Sequence, residues 1–101
     1  MLPGAVQDHV GYALYIVQRG GKHQDAKPLK GYGGAGVVEV VTDYRGDTFR
    51  AVYTVRFADA VYVLHVFQKK SKRGRETPRQ DERLIEQRLR EAERIEKGTA
   101  R

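Results

Sequence analysis

The side chains able to do chemistry in this chain are cations and one imidazole, gathered between residues 50 and 75. The stretch Val61 to Arg75 reads VYVLHVFQKKSKRGR. Its first half, Val61 to Phe67, is apolar and β-branched and predicts a buried strand carrying His65. Its second half holds Lys69, Lys70, Lys72, Arg73 and Arg75 with no acid among them. A strand that leaves a core and ends in such charge sets fixed cations at the rim of a sheet, where a polyanion can dock. Upstream, Arg50 and Arg56 alternate with apolar residues and share the polar face of another strand.

If these two strands form a hairpin about residues 58–60, Arg50 comes beside Lys69 and Lys70. Whichever lysine faces the side of Arg50 completes a cationic pair, and a one-residue slip in register exchanges them. Two or three fixed cations hold a phosphate and stabilise the extra negative charge when a phosphodiester is attacked. RNA carries its own nucleophile, the 2′-hydroxyl, so this chemistry needs no metal. It does need a base. His65 has the free pKa best suited to take the proton, and a lysine is the alternative. On an apolar strand His65 is more often a satisfied core histidine than a base, and Phe67 fits core packing better than stacking on a base.

Composition narrows the classes. The chain has 101 residues, 40% of them hydrophobic, enough for a single domain with a small core. Its net charge is +6, which favours acidic partners, nucleic acid first. With no cysteine, disulfides and thiolate metal sites are excluded. His9, His23 and His65 are scattered, with no ligand spacing, so no metal and no cofactor is expected. Ser71 is the only serine, which argues against a serine nucleophile with its triad. No apolar run approaches the roughly 20 residues of a membrane span, and no signal peptide is visible. A soluble, cytoplasmic protein with no membrane partner is the expectation.

The positioning elements follow. Val6, Val10, Leu14 and Val17 form one apolar stripe, widened by Tyr12, Tyr15 and Ile16, and predict a helix over 4–18 that stops at Gly20-Gly21. Residues 22–36 read as a loop. Gly31-x-Gly33-x-x-Gly36 matches a dinucleotide fingerprint by letters alone, since a loop precedes it and a β-branched run follows. Within that loop Lys27-Pro28-Leu29-Lys30 reads equally as two cations for a binding face or as a solvated turn. Strands are expected over 37–42, 48–57 and 61–68, as an antiparallel meander. On the middle strand Phe49, Ala51, Tyr53, Val55 and Phe57 share the face opposite Arg50 and Arg56. After a basic loop, Thr77 as N-cap, Pro78 at the first helical position and Gln80 open a last helix. Its apolar stripe is Leu84, Ile85, Leu89, Ala92 and Ile95. Glu86 with Arg90 and Glu93 with Lys97 are helix-spaced ion pairs, each worth about 0.2–0.5 kcal/mol. The fold class is α+β: a small antiparallel sheet of at least three strands with an N-terminal and a C-terminal helix.

Taken together, Lys27-Pro-Leu-Lys30, Glu39, Phe49-Arg50-x-x-Tyr53, Val63-Leu64-His65-x-Phe67-Gln68-Lys69-Lys70 and Thr77-Pro78 resemble the phage-derived, HigB-like branch of the RelE/ParE toxin superfamily. The similarity runs from about residue 5 to residue 95. It implies a RelE-like fold and ribosome-dependent, metal-independent cleavage of mRNA. The implied partners are mRNA on the ribosome and a cognate antitoxin, often with a helix-turn-helix domain. By motif, Arg50 matches the superfamily's phosphate-binding arginine, and Lys69 and Lys70 match its basic pair. Arg56, Lys72, Arg73 and Arg75 are then the residues expected to hold RNA backbone. Two departures stand out. Family members usually begin with a strand, whereas this chain goes almost directly into the helix, so the expectation is either a truncated start or a lost strand, whose open edge would favour homodimer or antitoxin pairing there. Where family members carry lysines on the strand before the arginine, this chain has Val37-Val38-Glu39-Val40-Val41, and Glu39 is expected to brace Arg50 or Arg56. ParE-like inhibition of DNA gyrase, or an inactive phage-derived protein that only binds an antitoxin, are the alternative functions.

Overall fold

The computed structural model describes residues 2–29, 31–32, 36–57, 60–69 and 78–99, with position 69 and position 99 described by backbone alone. The order of elements is α1 (Gly4–Gln18), β1 (Ala26–Pro28), β2 (Val37–Tyr44), β3 (Asp47–Thr54), β4 (Val63–Lys69) and α2 (Arg79–Thr99). The strands form one antiparallel sheet in the order β1-β2-β3-β4. This is the α+β arrangement expected, with a fourth strand added. That strand, β1, lies inside the expected 22–36 loop. Three residues are too few to show a period, and Pro28 is tolerated because the strand is at an edge.

The period-2 alternation of β2 and β3 sends apolar side chains to both faces of the sheet, and each face takes one helix. On one face Val38, Val40, Phe49, Ala51 and Tyr53 meet Val6, Val10 and Ala13 of α1. On the other, Val37, Val52, Leu64 and Phe67 meet Ile85, Leu89 and Ala92 of α2. Helix α1 has the predicted bounds and ends in a Schellman motif. There the Gly21 amide donates to the Ile16 carbonyl at 2.9 Å and the Gly20 amide to that of Val17 at 2.9 Å, with Gly20 at φ +85°. Tyr12 and Tyr15 do not widen the buried stripe as expected. They are exposed and stack on each other outside the helix.

The β2–β3 turn is tighter than expected. Arg45 and Gly46, both at positive φ, make a two-residue loop, so the paired strands run on to Tyr44 and Asp47. Strand β3 ends at Thr54 rather than at residue 57. Beyond it the alternation lapses: Val55 is exposed and Phe57 packs with Tyr62 against the α2 cluster, not on the α1 face. Helix α2 begins at Arg79, so Pro78 precedes the first helical residue, and its carbonyl accepts from the Glu82 amide at 2.9 Å. The expected cap at Thr77 lies outside the described residues. Ile95 is exposed near the far end of α2. Glu86 and Arg90 pair at 2.9 Å as expected, but Glu93 reaches across to Arg56 at 3.3 Å instead of pairing with Lys97.

Candidate functional site

Register decides which chemistry-bearing residues meet. Arg50 lies opposite Phe67 on β4 and Val41 on β2, all on the α2 face of the sheet. The adjoining row of that face runs Lys27, Glu39, Val52, His65 across the four strands. Thr48 pairs with position 69, so backbone register sets position 69 on the face of Arg50. His65 and position 69 are both diagonal neighbours of Arg50, a relation that spans about 7–8 Å.

A β-bulge produces this phasing. Tyr53 pairs with Val63, yet Val52 pairs with His65, so Leu64 is an extra residue in β4. Without it every later residue of β4 would change face, and position 69 would leave the face of Arg50. The bulge also turns Leu64 into the α2 cluster, and Arg88 Nη1 donates to its carbonyl at 2.8 Å.

Arg50 is buried, with its Nη1 3.4 Å from the Glu39 Oε2, itself largely buried. Glu39 therefore braces Arg50, and Arg56 takes Glu93. A guanidinium out of water needs such a counter-charge, because the isolated ion is expensive to desolvate. Arg56 lies beyond the end of β3, beside Tyr32 and α2, away from the Arg50 row. The structure does not join it to Arg50 in one site.

His65 is held on three sides. Its Nε2 is 2.7 Å from Asp81 Oδ1, its Nδ1 is 3.3 Å from Arg88 Nη1, and its ring stacks on Phe67 at 4.8 Å between centroids. Asp81, in the first turn of α2, accepts the Nε2 proton, which leaves the Nδ1 lone pair toward the Arg88 donor. The ring thus ties β4 to α2 and is oriented by a carboxylate. Asp81 and Arg88 carried no signal in sequence beyond helix-dipole and surface charge; only the packing of α2 shows their role. Tyr32 lies near Glu82, Glu86 and Glu39, and burial first and these carboxylates second hold its phenol above the usual tyrosine range.

Of the other expected site residues, Lys70, Lys72, Arg73 and Arg75 lie outside the described residues. The three histidines are not remote from carboxylates, contrary to the reading of their spacing. His65 has Asp81, and His9 and His23 converge on Asp25, with His9 Nε2 3.1 Å and His23 Nδ1 3.8 Å from its Oδ2. The fold brings together residues that sequence distance separates. Among the described residues, no helix is long and apolar enough to cross a membrane.

Comparison with known proteins adds the family. No curated protein and no solved structure matches the chain. Residues 1–90 match the model of one family, described as phage derived protein Gp49-like (DUF891). With nearly the whole chain covered, the protein belongs to this Gp49-like family of phage-derived proteins, part of the RelE/HigB-like group of toxin–antitoxin toxins.

Proposed function

We propose that the chain is a HigB-like toxin that cuts mRNA on the ribosome without a metal. The observation that carries this reading is the bulge-set register. It gathers Arg50, His65 and position 69 on one face, at the strand end that runs into the basic segment. In the reaction the 2′-oxygen, giving up its proton, forms a bond to the neighbouring phosphorus as the bond to the 5′-oxygen breaks, and the departing 5′-oxygen takes a proton from water, leaving a cyclic phosphate and a free 5′-hydroxyl. Arg50 with Lys69 and Lys70 stabilises the charge that builds on the phosphate. His65, oriented by Asp81, takes the 2′-hydroxyl proton at Nδ1 once Arg88 turns from the ring to a phosphate. Lys72, Arg73 and Arg75 hold RNA backbone, and a cognate antitoxin restrains the toxin in the cytoplasm.

The burial of Arg50 against Glu39 favours a second reading, in which the chain keeps the fold and an antitoxin-binding surface but cuts no RNA. The test is incubation of purified protein and mRNA with and without ribosomes, with chelator throughout and cut sites mapped by primer extension. Cleavage that requires ribosomes supports the first reading. Folded protein that cuts in neither lane supports the second, or gyrase inhibition.

A further inference from the structure

On the opposite face of the sheet, beside α1, His9, His23 and Asp25 each offer one ligand-capable atom, all three atoms lying within 4.8 Å of one another. We propose that these residues bind a divalent transition-metal ion of zinc type, as a staple between α1 and the segment leading into β1. The geometry is close to what such an ion needs. Bonds of about 2.1 Å in a tetrahedral array hold donors about 3.4 Å apart. Here His9 Nε2 and Asp25 Oδ2 are 3.1 Å apart, and His23 Nδ1 and Asp25 Oδ2 are 3.8 Å apart. Two imidazoles and one carboxylate are a borderline-soft set that leaves one position for water.

The supporting contacts point the same way. His9 Nδ1 is hydrogen-bonded to Thr42 Oγ1, an outer contact that fixes the ring and directs Nε2 at Asp25. If Nδ1 carries the proton, the Nε2 lone pair faces a carboxylate oxygen, and only a cation or a second proton can sit between them. His23 is buried and is held at Nδ1 by the Asp25 amide at 3.0 Å, and both the His9 and Tyr12 rings pack edge-on against it. Binding by that nitrogen exchanges the amide bond for the metal, while Asp25, half exposed, leaves the site open to solvent. The cluster lies across the sheet from Arg50, since Thr42 pairs with Phe49 on the α1 face, so an ion here would bind without meeting the scissile phosphate.

The test is thermal unfolding and calorimetric titration of the full chain, free of any histidine tag, with zinc against chelator. Asp25→Asn serves as the control because it keeps the shape and removes the charged ligand. Zinc at a hundredfold over its dissociation constant should raise the wild-type Tm by roughly 10–20 °C. The variant should melt like wild type in chelator and lose most of that rise. A wild-type Tm indifferent to zinc, or an equal rise in Asp25→Asn, would overturn the proposal.

Discussion

The Glu39–Arg50 pair offers the sharpest test of the physical reasoning, because both charges are buried and only 3.4 Å apart. At an effective dielectric near 20, opposite charges at this distance attract by about 5 kcal/mol, most of it offset by their desolvation. Removing one partner forfeits the attraction while the other stays desolvated, so Arg50→Ala and Glu39→Ala should each cost about 3–5 kcal/mol. That is a large share of the 5–15 kcal/mol or so typical of a small domain, which makes Arg50→Ala alone a poor probe of activity. The double variant removes both charges and should cost clearly less than the sum, with a coupling energy of about 2–3 kcal/mol. Urea unfolding followed by far-UV circular dichroism measures it, the chain having no tryptophan. Additivity of the single effects to within about 0.5 kcal/mol would refute the brace and leave the burial of Arg50 without its stated cause.

Other expectations follow from neighbouring features. The Tyr53 hydroxyl is buried with no hydrogen-bond partner among the described residues, so Tyr53→Phe should be neutral or stabilise by about 1 kcal/mol; a loss of that size in urea melts would reveal a partner. Burial raises the Tyr53 phenol above 10.0, so the unfolded chain releases this proton first. Its contribution to stability is intact below pH 10.0 and lost as the pH climbs through the raised value, and denaturation midpoints across the alkaline range should fall accordingly. Phenolate absorbance should likewise show Tyr32 and Tyr62 titrating late, Tyr62 chiefly because its hydroxyl donates to Glu96. Gly36 sits at φ +114°, and an added Cβ would meet the Arg56 Cβ at 2.5 Å. Gly36→Ala should therefore cost about 2 kcal/mol or more, and a near-neutral result would mean the β2 entry is free to shift.

The helices and the alternation of β3 were legible because their signals are periodic and local. Val6 and Val10 on α1, Ile85 and Leu89 on α2, and the alternation of Phe49, Ala51 and Tyr53 declare their faces in the sequence. The same alternation set Arg50, Val52 and Thr54 opposite Phe49, Ala51 and Tyr53 on a face expected to be polar; the structure corrects this, because α2 covers that face and all three are buried. What alternation could not settle was the partner on β4. A hairpin about residues 58–60 left the choice between Lys69 and Lys70 to a one-residue slip, whereas the extra residue at Leu64 brings position 69 and His65 to the face of Arg50. A bulge is one residue inside an apolar run, and nothing in Val63-Leu64-His65-Val66 distinguishes the extra member. Strand β1 was hidden by its length. The Asp81–His65–Arg88 contacts and the His9–His23–Asp25 cluster were hidden because they join elements far apart in the chain.

The central claim, that the Arg50 face handles RNA phosphate, is tested most directly by ribosome-dependent cleavage with a variant that keeps the fold. Glu39→Gln combined with Arg50→Gln removes both buried charges at once and strands neither. Beside Glu39→Gln alone, it should be folded by circular dichroism yet lose cleavage by a factor of about a hundred or more, as when a principal charge-stabilising donor is removed. A folded double variant that cuts mRNA at the wild-type rate would contradict the account.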